Sequence, residues 1–158
     1  MGLGGNTPGT LEAFRRVRVA LGLLLEDSAG SSLYRTRAQD DADQEDFWNA
    51  VVEGHWSGTV ESLLERLLLL EAGEGRRRDP LRPKGPRVLD LDLLTFGTEV
   101  RTSSRLTLPH RGLAFRRFAL EPLIELDPSA IDPRTRRLWS EALAALPNQG
   151  VDRTGRPW

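Results

Sequence analysis

Two aspartates interrupt the leucine-rich stretch PRVLDLDLLTFG, which covers residues 86–97. Because successive side chains of a strand point to opposite faces, Asp90 and Asp92 are predicted to share one face and the flanking leucines the other. Two like charges held so close repel each other, so either one is protonated or a cation binds between them. Oxygen ligands favour a hard cation, and Mg²⁺ is typically held by one or two carboxylates together with substrate phosphates.

A basic segment precedes this acidic pair. Residues 75–87, GRRRDPLRPKGPR, hold six cationic side chains in thirteen residues, including Lys84, the single lysine of the chain. A D-x-D pair alone usually lies on the solvent-exposed face of a strand. A run of charges alone is usually a solvated loop. Side by side, however, they suggest a polyphosphate site, in which two metals clamp the phosphates and arginines neutralise their oxygens in the transition state.

The bulk composition narrows the class of protein. The chain has 158 residues and a net charge of -1, so it is long enough for one domain with a real core, and its surface is not basic enough overall to favour nucleic acid. It contains no cysteine, which excludes disulfides and thiolate chemistry and fits a reducing compartment. Neither a signal peptide nor a membrane-spanning apolar run is recognisable. We therefore predict a cytoplasmic protein without a membrane partner.

Periodicity predicts mixed helices and strands. A first helix should cover TPGTLEAFRRVRVALGLLL, with Thr7 or Thr10 as its cap and a buried stripe of Leu11, Phe14, Val17, Leu21 and Leu24. SSLYRTR and FWNAVVEGHW read as strands. Thr59 should cap a second helix that ends at Gly73.

The second half of the chain follows the same mixture. EVRTSSRLTLP reads as a short strand or hairpin after the Asp strand. GLAFRRFALEPLIEL should form a helix that buries Phe115, Phe118, Leu120 and Leu123, and TRRLWSEALAALP should form the last helix. Strands and helices that do not alternate strictly indicate an α+β fold in layers, and we predict a single domain over residues 1–158.

The motifs resemble a known family. GPRVLDLDLLTFG followed by RLTLPH is similar to the signature of 6-hydroxymethyl-7,8-dihydropterin pyrophosphokinase, and SSLYRT, DQEDFWNAVV and RRFALEPLIEL resemble other blocks of that family in the same order. The resemblance implies a ferredoxin-like sandwich with a mainly antiparallel sheet. It also implies transfer of pyrophosphate from ATP to the pterin hydroxymethyl group, in folate biosynthesis, with two Mg²⁺ ions and as a monomer.

The resemblance also implies roles for individual residues. Asp90 and Asp92 correspond to the metal-binding aspartates, and Arg76 and Arg87 to two catalytic arginines of the basic loop. The expected ATP contacts are Glu71, His110 and Arg116. On the pterin side, Asn49 corresponds to the asparagine that hydrogen-bonds the pterin edge, Phe118 to the stacking aromatic, and Phe47 to a position that is often tyrosine.

Three departures from the family pattern keep alternatives open. The pterin-contacting segment reads TRAQDD at residues 36–41, Lys84 replaces a tryptophan, and only three residues precede the Gly4-Gly5-Asn6 turn. We therefore expect a truncated first strand, and a natural product with a short apolar strand before Met1. A degenerate, non-catalytic nucleotide-binding member of the family is one alternative. A metal enzyme acting on nucleic acid is another, and it would need a wider basic surface.

Overall fold

The structure is a computed structural model that describes residues 1–37, 45–75 and 85–158. The strands are β1 (Gly2–Gly5), β2 (Glu26–Gly30), β3 (Tyr34–Thr36), β4 (Phe47–His55), β5 (Asp90–Asp92), β6 (Arg101–Thr102), β7 (Thr107–Leu108) and β8 (Val151–Arg153). The helices are α1 (Thr10–Leu24), α2 (Val60–Gly73), α3 (Arg117–Leu126) and α4 (Trp139–Ala145), with a 3₁₀ turn at Leu113–Phe115 before α3.

The main sheet is antiparallel in every pairing that the described residues show. Its strands lie in the order β5-β1-β4-β3-β8, with β2 also paired to β4. Strands β6 and β7 form a separate hairpin. The sheet therefore brings strands from both halves of the chain next to the short central strand β1.

Helices cover both faces of this sheet. Alternate residues of β4 separate into two cores: Ala50 and Val52 pack with α1 and α2, whereas Val51 packs with α3 and with Trp139 of α4. This separation follows from the two-residue period of a strand. The result is a three-layer α+β sandwich, which confirms the predicted fold class.

Several predicted elements are confirmed. Helix α2 runs from Val60 to Gly73, and the hydroxyl of Thr59 accepts a hydrogen bond from the backbone N–H of Ser62. The segment after the Asp strand forms a hairpin. The first strand is short, with four residues, and it pairs with β4 on one side and β5 on the other.

Three predictions about the helices were wrong. No side chain caps α1: it begins at Thr10, whose hydroxyl accepts the N–H of Thr7. The predicted single helix from residue 112 is broken, because Arg116 is extended (φ -126°, ψ 101°) between the 3₁₀ turn and α3. Because of that break, Phe115 does not share the buried face of α3, and its side chain is 70% exposed instead of buried.

Candidate active site

A cross-strand row carries two of the predicted site residues. Gly4 of β1 is directly opposite Asp90 of β5 on one side and Asn49 of β4 on the other. Residues directly opposite in an antiparallel pair share a face, so Asp90 and Asn49 point to the same side of the sheet. Neighbouring strands are spaced by about 4.8 Å, which separates the two residues by about 10 Å, with no side chain between them.

The two aspartates share one face, as predicted. Asp90 and Asp92 are half-buried, whereas Leu89, Leu91 and Leu93 are buried on the side of α1 and α2. Half-exposed carboxylates on one strand form an oxygen donor set that fits a hard cation. Within the described residues, no group of three or more acidic, histidine or cysteine side chains forms a further metal site.

Glu71 lies behind the Asp strand. Its side chain is 3% exposed, and its Oε1 accepts a hydrogen bond from the backbone N–H of Leu91 at 2.6 Å. Leu91 stands between the two aspartates, so this carboxylate fixes the backbone that carries them. The interaction was not predicted from the sequence, where Glu71 was interpreted only as a nucleotide contact.

Arg87 is placed against the acidic pair. Its Nε lies 3.2 Å from Oδ2 of Asp90, and its guanidinium carbon lies 5.3 Å from the ring centroid of Phe47. The buried Nε–H is thus ion-paired with Asp90, but within the described residues it makes no hydrogen bond of good geometry. A phosphate oxygen in line with this N–H would supply one. Arg76, the other predicted catalytic arginine, lies outside the described residues, as does Lys84.

Asn6 was missed by the sequence reasoning. Its Oδ1 accepts the backbone N–H of Arg87 at 3.0 Å, its own N–H donates to the Arg87 carbonyl at 2.9 Å, and its Nδ2 donates to the Glu45 carbonyl at 3.3 Å. This buried side chain therefore holds the backbone of Arg87 to the turn after β1. The glycine-rich start was visible in the sequence, but nothing local showed its partner 81 residues away.

His110 lies at the same end of the sheet. Burial lowers the pKa of its imidazole, and the charge of Arg116 lowers it further, while Asp92 and Asp90 oppose the shift. Nδ1 accepts the backbone N–H of Gly112 at 3.2 Å. The neutral ring therefore carries its proton on Nε2, where it can donate to a phosphate oxygen.

The residues predicted to bind the pterin lie on β4 and at the start of α3. Asn49 is 5% exposed, and its Nδ2 donates to the hydroxyl of Thr36 at 2.9 Å. Its Oδ1 faces Gly4, where a Cβ added to the glycine would lie 3.7 Å from that oxygen. The guanidinium carbon of Arg116 lies 5.7 Å from the ring centroid of Phe118, at the start of α3. Residues 38–41 of the altered TRAQDD segment lie outside the described residues.

Paired carboxylates with an arginine and a neutral histidine nearby suit the binding of a metal-bound polyphosphate. Residues 1–128 match the model of the 7,8-dihydro-6-hydroxymethylpterin-pyrophosphokinase (HPPK) family. The match covers more than half of the chain, and the chain belongs to this family. The family that the Asp strand and the downstream histidine indicated is thereby confirmed.

Individual relatives agree with the family match. A 2-amino-4-hydroxy-6-hydroxymethyldihydropteridine pyrophosphokinase of Synechocystis sp. is 39% identical over 137 residues, which cover 85% of this chain and 69% of the relative. One of the same name from Methylorubrum extorquens is 42% identical over 126 residues, covering 79% and 77%. The folic acid synthesis protein fol1 of Schizosaccharomyces pombe is 34% identical over 145 residues, where this chain spans 20% of that longer protein.

Proposed function

We propose that this chain transfers the terminal pyrophosphate of ATP to the hydroxymethyl group of 6-hydroxymethyl-7,8-dihydropterin. The hydroxyl oxygen bonds to the β-phosphorus of ATP, and the bond from that phosphorus to the bridging oxygen of the α-phosphate breaks. AMP leaves, and the hydroxyl proton is released. The observation that supports the proposal is the row Asp90–Gly4–Asn49, which puts a carboxylate and an amide on one face of the sheet, where they would face the metal-bound nucleotide and the pterin.

Asp90 and Asp92 would hold Mg²⁺ between them and the phosphates of ATP. The ion, one or two in number, would neutralise charge that develops on the transferred group. Their half-buried position on β5 suits this role, since fixed carboxylates bind a cation without reorganisation. Glu71 supports both of them through the backbone of Leu91.

Cationic and neutral donors complete the nucleotide side. Arg87 presents a buried guanidinium that is ion-paired with Asp90, and neutral His110 presents Nε2–H. Donors fixed in place before the reaction stabilise transition-state charge more than mobile ones do. Arg116 is exposed near Phe118, from where it would contact the nucleotide from the other wall.

The pterin would lie between Asn49 and Phe118. A flat, polar heterocycle needs a hydrogen-bonding edge and a stacking face, and these two side chains supply one each. Phe47 is held under the guanidinium of Arg87, so it links the pterin side to the nucleotide side. Gly4 leaves the space between the two sides open.

Some expectations remain predictions. The structure contains no helix, in its described part, that is long and apolar enough to cross a membrane. A monomeric state, a location in the cytoplasm and a single domain over residues 1–158 stay as the sequence predicts them. None of the relatives favours the degenerate, non-catalytic alternative.

The products test the proposal. The purified chain is incubated with Mg²⁺, ATP and 6-hydroxymethyl-7,8-dihydropterin, and nucleotide and pterin products are identified by mass spectrometry. We expect AMP and pterin diphosphate in equal amounts. ADP with pterin monophosphate would show transfer of one phosphoryl group instead, and ATP binding without any product would favour the degenerate alternative.

A further inference from the structure

Gln149 clamps the turn that carries Arg116. Its Oε1 accepts the backbone N–H of Arg117 at 2.9 Å, and its Nε2 donates to the carbonyl of Phe115 at 3.0 Å. The two backbone groups lie on either side of Arg116. One side-chain amide thus fixes the peptide units before and after a predicted ATP contact.

The clamped turn also has backbone hydrogen bonds of its own: the Arg116 N–H donates to the Leu113 carbonyl at 3.3 Å, and the Arg116 carbonyl accepts the Leu120 N–H at 3.0 Å. Arg116 is extended between the 3₁₀ turn and α3, so the regular hydrogen bonds of a helix are interrupted there. The Arg117 side chain docks on the end of α4, where it donates to the carbonyls of Leu143 and Leu146 at 3.3 and 3.2 Å. The direction in which Arg116 and Phe118 leave this turn is therefore set jointly by the turn's own backbone and by the end of α4 with the segment that follows it.

The same segment reaches the opposite wall. Val151 pairs with Thr36 in the β3–β8 ladder, and the carbonyl of Gly150 accepts the N–H of Arg37 at 3.4 Å. Thr36 in turn accepts the hydrogen bond of Asn49. Residues 149–151 thus contact the backbone behind both sides of the proposed pterin site.

We propose that Gln149 is a positioning residue, which sets Arg116 and Phe118 at a fixed distance from the Asn49 wall. The inference rests on the proposed function. Gln149 lies beyond residues 1–128, the part of the chain that matches the family model. It acts through the backbone of Phe115 and Arg117, not through contact with a substrate.

Two variants separate the halves of the clamp. Gln149→Glu keeps an acceptor for the Arg117 N–H but places a carboxylate against the Phe115 carbonyl. Gln149→Met keeps the length of the side chain and removes both hydrogen bonds. Asn148→Asp makes the same amide-to-acid change at the neighbouring exposed residue, where an acceptor for the Gly150 N–H is retained.

Substrate KM values and amide exchange together distinguish a positioning role of Gln149 from a purely structural one. At a temperature well below unfolding, we expect Gln149→Met to raise the KM for both substrates about tenfold, as the loss of two hydrogen bonds would. Amide hydrogen exchange at Arg117 should accelerate in Gln149→Met and stay slow in Gln149→Glu. Asn148→Asp should match the unmodified chain in every measurement.

Two results would overturn the proposal. One is faster exchange at Arg117 with unchanged KM values, since the clamp would then hold the turn without serving the site. The other is unchanged exchange in Gln149→Met. If the unmodified chain makes no AMP, the proposed function fails by itself. Calorimetry of Mg²⁺-ATP binding then decides for Gln149: about tenfold weaker binding in Gln149→Met supports it, and equal binding refutes it.

Discussion

The buried carboxylate of Glu71 and the backbone N–H of Leu91 are joined by a hydrogen bond of 2.6 Å, directly behind the two half-buried aspartates. Glu71→Ala would leave that N–H without its partner, which costs about 1–3 kcal/mol of unfolding free energy. Glu71→Gln keeps an acceptor and should cost less. Denaturant unfolding of both variants gives the comparison.

Glu65→Ala is the control for Glu71→Ala, because Glu65 lies on the exposed side of the same helix. We expect that variant to unfold like the unmodified chain. The rate of AMP formation should fall in Glu71→Ala even where the protein is fully folded, since the backbone between the aspartates is released. Equal stability of the two alanine variants would contradict this assignment.

Adjacent glycines of β1 should respond differently to a methyl group. At Gly5 a Cβ would lie 2.5 Å from the Val88 carbonyl oxygen and 2.8 Å from atoms of the Thr10 side chain. Gly5→Ala should therefore lose about 1–3 kcal/mol of unfolding free energy through overpacking. Gly4→Ala should fold normally, because its Cβ would meet only Oδ1 of Asn49, at 3.7 Å.

Substitutions at Gly4 should change pterin binding rather than stability. Gly4→Val fills the gap between Asp90 and Asn49, so we expect the KM for the pterin to rise stepwise from Gly4 to Ala to Val. Thermal unfolding and steady-state kinetics measured on the same samples separate the two effects. A Gly4→Val variant with normal pterin kinetics would place the pterin elsewhere.

Arg87 should act on the rate more than on binding. Arg87→Ala removes a fixed cation beside Asp90, and transition-state contacts lower the barrier without tightening the ground state. We expect kcat to fall by about 10²-fold or more, as for the loss of one preorganised donor, while Mg²⁺-ATP affinity changes little. The same expectation applies to Arg76. If Arg87→Ala and Arg76→Ala raised only the KM for ATP and left kcat unchanged, these arginines would bind ATP without stabilising the transition state.

Acid sensitivity should depend on Glu125 of α3. Burial raises the pKa of this carboxyl, but hydrogen bonds from Ser32 and Tyr34 and the charge of Arg153 outweigh burial and lower it. The distances are 2.8 Å to each hydroxyl and 2.7 Å to the guanidinium. A carboxyl with a lowered pKa in the folded state adds stability above its unfolded pKa of about 4.3, and that stability is lost as the pH falls through the folded value.

Glu125→Gln should therefore be less stable than the unmodified chain at pH 7, and the difference should shrink as the pH drops below about 4.3. Unfolding midpoints measured from about pH 3 to pH 7 test this directly. Glu121→Gln, one turn earlier on α3, serves as the control for a lost charge. A pH-independent difference between Glu125→Gln and the unmodified chain would refute the linkage.

Local patterns predicted much of the fold. Thr59 and Gly73 marked the ends of α2 because capping and helix termination are encoded next to the helix itself. The buried face of that helix was not predicted, although Val60, Leu63 and Leu67 lead in helical steps to the buried Glu71. The aspartates were found because a two-residue period separates charge from leucine.

Contacts between distant segments could not be predicted in this way. The sequence of β8 has no strand pattern of its own. It forms a strand by pairing with the free edge of β3. Phe115 was misplaced because the extended Arg116 resets the helical phase. Asn6 and Gln149 carry no local signal, since their side chains bond to backbone groups that lie 32 to 81 residues away.

The most direct test of the central claim is the rate of AMP formation in Asp92→Asn, with saturating Mg²⁺, ATP and 6-hydroxymethyl-7,8-dihydropterin. Asp27→Asn is the matched control, because Asp27 is exposed and its positive φ of 50° suits asparagine equally well. We expect Asp92→Asn to lose activity by orders of magnitude with an unchanged unfolding midpoint, and Asp27→Asn to keep it. Near-normal turnover in Asp92→Asn would contradict the assignment of the aspartate pair as the metal site.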